Sequence, residues 1–157
     1  MEGEGLLLAF AQIGVIVAGF AGVAASLRQG WTASERVQFQ ILVVASLAIM
    51  FFALLPPILF YVTHDVQVSL RVASAGYGLY TAQIVTRRAR AFRRARTPPR
   101  IYLSTLVAGS MVALLLMLLN VAFLGSAGIH ALGLLPALYV ATLEFRLFVT
   151  PPASLRT

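Results

Sequence analysis

Long apolar stretches constrain this chain more than any other feature. A helix needs roughly 20 apolar residues to cross the hydrocarbon core of a bilayer, which is about 30 Å thick. Five stretches meet that requirement, at residues 5–27, 37–62, 66–86, 101–124 and 129–149. We therefore predict an all-α, polytopic membrane protein in which residues 1–157 form one transmembrane domain, a bundle of five helices.

The composition excludes a soluble domain. Hydrophobic residues make up 60% of the 157 residues and charged residues only 11%, whereas a soluble domain carries about 25% charged residues. A soluble domain of this size leaves about a third of its surface in water, and this chain has too few polar residues to cover that surface.

The positions of the arginines predict the topology. All twelve basic residues are arginines, and cytoplasmic loops are enriched in such residues. Only Arg71 falls on one side of the predicted membrane. The other eleven fall on the opposite side: Arg28, Arg36, Arg87, Arg88, Arg90, Arg93, Arg94, Arg96, Arg100, Arg146 and Arg156. We expect the N-terminus outside and the C-terminus in the cytoplasm. The first stretch follows an acidic start and is interpreted as a retained helix; cleavage after residues 23–26 would leave four spans.

The chain offers few residues for catalysis or metal binding. It has no lysine and no cysteine, which excludes Schiff bases, thiolate nucleophiles and cysteine metal sites. We expect no cofactor, no metal and no enzyme activity. Ser74 and His130 are the one conceivable nucleophile and base, but their positions in the predicted spans place Ser74 about five helical residues deeper than His130.

Small residues follow a strict four-residue spacing in the first stretch. They are Gly14, Ala18, Gly22 and Ser26, and such a stripe allows another helix to approach closely. The stripe predicts either contact within the bundle or an interface between subunits.

The third stretch is the least apolar, and its polar and small residues lie on one seam with a 4-3-4-3 spacing. They are Gln67, Arg71, Ser74, Gly78 and Thr81. Because so polar a seam should not face lipid, it should face the bundle interior or the axis of an oligomer.

Arg71 is the charged residue that most needs a partner. A charge at the centre of a span costs at least about 2.5–3.5 kcal/mol. Gln12 and Asn120 are expected at similar depth, and Pro56 and Pro57 free the carbonyls of Phe52 and Ala53. In one alternative, these groups form a buried polar layer around Arg71. In the other, each finds its own hydrogen-bond partner nearby, and Arg71 reaches outward to Asp65 or to lipid phosphate.

The connection at residues 87–100 is predicted to be a basic cytoplasmic segment that first continues the third helix. Its arginines are Arg87, Arg88, Arg90, Arg93, Arg94, Arg96 and Arg100. Contact with anionic headgroups is the main expectation. A cytoplasmic protein partner is the alternative, and nucleic acid is not expected because Phe92 is the single aromatic residue among the arginines.

Residues 10–23, followed by Trp31, Arg36 and the Leu54-Leu55-Pro56 sequence, resemble a group of small uncharacterised bacterial integral membrane proteins. The resemblance covers roughly the first 60 residues. It implies a multi-pass protein of the bacterial inner (plasma) membrane and transfers no functional residue.

Two functions from different classes fit these observations. The first is a small homo-oligomeric channel, lined by the third helix and favouring anions through a ring of Arg71. The second is a non-catalytic, membrane-embedded interaction subunit that docks a partner or anionic lipid through the arginine-rich segment.

Overall fold

The computed structural model describes residues 3–27, 30–31, 33–94 and 100–149. Side chains are described over the same ranges except residues 33–34, 38, 88–94, 100–107 and 147–148. Arg28, Arg96 and Arg156 therefore lie outside the described residues, and no side-chain position is given for Arg88, Arg90, Arg93, Arg94 or Arg100.

The described residues form helices joined by short connections. In chain order these are α1 (Glu4–Ser26), α2 (Ala33–Thr63), α3 (Val66–Arg94), α4 (Arg100–Leu119), a π-helical turn (Asn120–Leu124) and α5 (Ala127–Val149). No strand occurs among the described residues, and each predicted apolar stretch coincides with a helix. The all-α prediction is confirmed.

Among the described residues, three helices are long and apolar enough to cross a membrane by length and composition: Glu4–Ser26, Glu35–Thr63 and Ala127–Arg146. Ala108–Leu124 is apolar but shorter. The helix α3 is long enough but carries the polar seam and the arginines that lower its hydropathy. Five spans, with the N-terminus outside, remain a prediction.

The helix α2 lies at the centre of the bundle and contacts α1, α3 and α5, while α4 packs between α3 and α5. The largest fully buried apolar side chains are Leu7, Leu42, Ile49, Leu70, Met117 and Leu134. Large apolar side chains also cover the outside, including Phe20, Leu79 and Phe123, each more than 60% exposed. An apolar exterior around a packed interior is what a lipid-facing bundle requires.

The helices α1 and α2 approach each other closely at Gly14. A Cβ atom on Gly14 would lie 2.7 Å from the Ser46 carbonyl oxygen and 3.0 Å from the Met50 nitrogen. At Gly22 the same atom would meet nothing within 4 Å. Ala18 is half-buried, and the exposed Ser26 hydroxyl donates to the Val23 carbonyl in its own helix. The small-residue stripe therefore provides close helix contact at Gly14 and leaves Gly22 facing outward.

The turn between α2 and α3 forms at residues 64–65. The Asp65 carboxylate accepts the Val68 N–H at 3.0 Å and caps α3, and the preceding His64 has a left-handed φ of 53°. The turn between α4 and α5 forms at Gly125, whose φ is 54°. A Cβ atom on Gly125 would lie 3.5 Å from the Gln67 side chain, so this turn sits beside the first turn of α3.

Candidate functional site

Three polar side chains from α3, the π-helical turn and α5 meet in the bundle interior. The Ser74 Oγ atom lies 2.8 Å from His130 Nδ1, and Asn120 Nδ2 donates to Ser74 Oγ at 2.8 Å. All three residues are 0% exposed. We call Ser74, Asn120, His130 and the Phe52 carbonyl the polar network.

The fourth member of the polar network is a backbone group that a proline makes available. In a helix the Phe52 carbonyl would accept the N–H of residue 56, but Pro56 has none. His130 Nε2 lies 2.9 Å from this oxygen. Because a carbonyl only accepts, Nε2 carries the proton, and in the neutral ring Nδ1 accepts from the Ser74 hydroxyl.

Asn120 connects the polar network to the turn before α5. Its Oδ1 atom accepts the Ser126 N–H at 2.7 Å, and its carbonyl accepts the Gly125 N–H at 2.9 Å. The π-helical turn that begins at Asn120 widens the end of α4, a local deviation that is frequent at functional sites. One asparagine side chain thus links α3 to the α4–α5 hairpin.

The prediction that Ser74 lies about five helical residues deeper than His130 is wrong, because Ser74 Oγ and His130 Nδ1 are within hydrogen-bond distance. The helix α5 begins at Ala127 rather than at residue 129, and the turn before it lies beside Gln67. Measured from there, Ser74 is seven residues along α3 and His130 five residues beyond Gly125, about 10.5 Å and 7.5 Å at helical rise. The Ser74 and His130 side chains span the remaining difference in position along the helix axes.

A serine bonded to a histidine is also the arrangement of a base-activated nucleophile. Here the Ser74 hydroxyl receives a hydrogen bond from Asn120 while it donates to His130. Both side chains are fully buried, and neither belongs to the lining of the cavity described below. Within the described structure the pair ties three helices together and offers no surface to a substrate.

The seam on α3 faces α4 and the π-helical turn. Gln67 lies beside Gly125, Ser74 bonds Asn120, and a Cβ atom on Gly78 would lie 3.6 Å from Met117 Cβ. Thr81 is 8% exposed. The two alternatives for this seam were the bundle interior and the axis of an oligomer. Ser74 and Thr81 lie in the interior of the bundle formed by one chain.

The polar network forms without two of the residues considered for a polar layer. Gln12 is exposed on the outer side of α1. Arg71 is half-buried, and its buried Nε atom has no hydrogen-bond partner among the described residues. Asp65 caps α3 instead of reaching the guanidinium. His130, rather than Arg71, is therefore the partner of the freed Phe52 carbonyl.

An aromatic cluster lies between the polar network and a cavity that opens to the outside of the bundle. The Phe52 ring lies 5.1 Å from that of Tyr77 and 5.4 Å from that of Tyr80, measured between centroids. Beyond these rings a cavity of about 330 Å³ lies among α2, α3, α4 and α5. Tyr77, Tyr80, Thr81 and Arg87 contribute its α3 wall.

Within the described part of the chain, no group of three or more His, Cys, Asp or Glu residues is placed to hold a metal ion. No protein family, curated protein or solved structure matches the chain. The resemblance of residues 10–23 to small bacterial membrane proteins remains a prediction.

Sequence reasoning named His130 only as a conceivable base for Ser74, and did not identify it as the partner of the Phe52 carbonyl. The signal was present in two halves: a carbonyl that Pro56 and the membrane setting leave without a donor, and a lone histidine within an apolar helix. Each group needs a partner in lipid. Pairing them required the register between α2 and α5, which no local pattern supplies.

Proposed function

We propose that the chain is a non-catalytic integral membrane protein that binds anionic lipid headgroups at its arginine-rich end, which we call the basic end. The observation that carries this proposal is the unbroken helix α3, Val66–Arg94. At helical rise its 29 residues extend about 43 Å, beyond the roughly 30 Å of a hydrocarbon core. Its last turns therefore hold five arginines in the headgroup layer: Arg87, Arg88, Arg90, Arg93 and Arg94.

A rigid helix strengthens this binding compared with a flexible loop. Each basic residue near an anionic surface contributes about 1 kcal/mol, and a helical backbone needs no ordering when the lipid binds. Arg87, the first of these arginines, is exposed, which supports the proposal. Arg36 on α2 is exposed at the same end and adds to it.

The packing of α3 favours lipid binding over the oligomeric pore. Ser74 and Thr81 were expected to line a conduction path, but Ser74 is fully buried against Asn120 and His130 of the same chain, and Thr81 is 8% exposed in the wall of the cavity. A pore lined by them would require the bundle to open. The buried Nε atom of Arg71, without a partner, is the observation that supports an anion pathway as a second candidate.

Lipid selectivity in reconstituted bilayers tests the first proposal. Electron spin resonance measures the fraction of spin-labelled phosphatidylglycerol that the full chain restricts, compared with phosphatidylcholine. We expect a preference for phosphatidylglycerol that weakens at high salt and is lost when the arginines of residues 87–100 are changed to glutamine. Equal restriction of both lipids, or tight binding of RNA or DNA by the protein in detergent, would overturn the proposal.

Conductance across a planar bilayer tests the second candidate. An anion pathway predicts a chloride current in the wild type that Arg71→Gln reduces, while Arg36→Gln at the opposite end leaves it unchanged. Absence of current, with the protein shown to be inserted, rejects the pore.

Self-association remains part of the proposal through the outward side of α1. Gly5, Gln12, Gly19 and Ser26 recur at seven-residue spacing, and all four are exposed. A Cβ atom on Gly5 or Gly19 would meet nothing within 4 Å, so neither glycine is needed for packing inside the bundle. A second copy in the same orientation would place Gln12 opposite Gln12, where each amide can donate and accept.

A further inference from the structure

The cavity beyond the Phe52 and Tyr77 rings is large enough for part of a small molecule or a lipid chain. Its volume is about 330 Å³, within the range of small-molecule sites. Small residues on three helices leave the space open: Ala45 and Ala48 on α2, Gly109 and Ala113 on α4, and Ala137 on α5.

The cavity is open to the surroundings of the bundle. Val44 and Tyr139 belong to its lining and are each more than half exposed on the outside. In a membrane the neighbouring molecules at this depth are lipid chains, and an apolar wall gives water few partners. The occupant is therefore expected to be apolar over most of its length.

The charged and amide side chains of the cavity lie at one end of it. Gln40 and Arg87 lie at the basic end and are exposed, whereas Tyr77 is 3% exposed at the other end. From Arg87 to Tyr77 the wall extends ten residues of α3, about 15 Å at helical rise. No acidic side chain is among the described residues that line it, so the charge at the mouth attracts an anion.

We propose that this cavity holds one acyl chain of an anionic phospholipid of the surrounding bilayer, with the lipid phosphate at Arg87 and the chain between Ala48 and Ala113. The inference rests on the proposed function, since the lipid it assigns to the cavity is one of the anionic lipids bound at the basic end. It adds a defined site, separate from the general attraction of the arginine surface.

Native mass spectrometry of the full chain, purified with phosphatidylglycerol present, tests this site. We expect one phosphatidylglycerol to remain bound under conditions that remove phosphatidylcholine with the same chains. Ala113→Phe fills the cavity and should abolish the retained lipid, while Leu115→Phe, on the exposed side of the same helix, should keep it. Arg87→Gln should weaken retention about fivefold, the effect of one basic residue at the headgroup.

Further arms distinguish the source of the ligand and the level at which the proposal fails. Retention of oleate but not of phosphatidylglycerol would overturn the phospholipid assignment. Lipid retention unchanged in both Ala113→Phe and the second cavity-filling variant Ala48→Leu would overturn the site, provided each variant unfolds at the wild-type temperature. Ala113→Phe should preserve the headgroup selectivity measured by spin resonance, because it changes the cavity and leaves the arginines in place. If the wild type itself shows no such selectivity, the proposed function is rejected.

Discussion

His130 Nε2 lies 2.9 Å from the Phe52 carbonyl oxygen, and this hydrogen bond joins α5 to the centre of α2. The oxygen is free because Pro56 supplies no N–H, and the ring is held from its other side by Ser74. The same residue, Phe52, contacts Tyr77 and Tyr80 through its ring. Phe52 therefore links the polar network to the closed end of the cavity.

Replacement of Asn120 tests whether the polar network stabilises the bundle. Asn120→Leu leaves the Ser126 N–H without its acceptor and removes the donor to Ser74. We expect a loss of about 1–2 kcal/mol in the free energy of unfolding, measured in detergent by circular dichroism against denaturant.

Thr142→Val is the matched control for this measurement. Thr142 is exposed, and its hydroxyl bonds only the Leu138 carbonyl of its own helix in the described structure. Equal stability of the two variants would contradict the role assigned to Asn120.

The chemical reactivity of Ser74 is a separate test. Because Ser74 is 0% exposed and already bonded to two partners, we expect no labelling by a fluorophosphonate probe in detergent or in bilayers. Mass spectrometry of the intact chain detects the adduct. An adduct that disappears in Ser74→Ala would show an accessible nucleophile and require a catalytic interpretation of the Ser74–His130 pair.

Two glycines of the same stripe on α1 should respond differently to enlargement. Gly14→Leu forces a side chain against the Ser46 carbonyl, which a Cβ atom would already approach to 2.7 Å. We expect a loss of about 1–3 kcal/mol in the free energy of unfolding, the usual effect of overpacking. Gly22→Leu, where the space is open, should change stability little; a larger loss there than at Gly14 would argue against this packing.

Gln12 should influence self-association. It is exposed on α1, eight residues from Glu4 and so about 12 Å along the helix, where an amide in hydrocarbon gains from a hydrogen bond across helices. We expect Gln12→Leu to weaken dimerisation about tenfold, since such bonds are worth about 1–2 kcal/mol in peptide systems. Energy transfer between labelled copies in vesicles measures the effect. Val15→Leu, exposed and outside the seven-residue series, should have none.

Composition and periodicity predicted the helical class, the positions of the helices and a short connection at residues 63–65 between the second and third helices. These features depend on local physics: bilayer thickness sets the length of an apolar stretch, and proline, glycine and capping residues mark where helices end. The predicted stretches and the observed helices differ mainly at their ends. The helix α3 continues past the apolar stretch to Arg94, as predicted for the start of the segment at residues 87–100.

The site was predicted only in part. Ser74 and Asn120 were named because polar residues in apolar stretches stand out, and the structure brings them together. Gln12 and Arg71, selected for the same reason, lie elsewhere. Polarity and depth do not reveal which side of a helix faces which neighbour, and an extra residue in a π-helical turn rotates everything after it.

The interruption of α2 at Pro56 also sets a limit on engineering this protein. A common route to a more stable membrane protein is to replace a proline within a helix, since the missing backbone bond is then regained. At this position the regained N–H would compete with an imidazole for one oxygen atom. The irregularity in one helix is the means by which another helix is attached, so a straighter α2 would make a looser molecule.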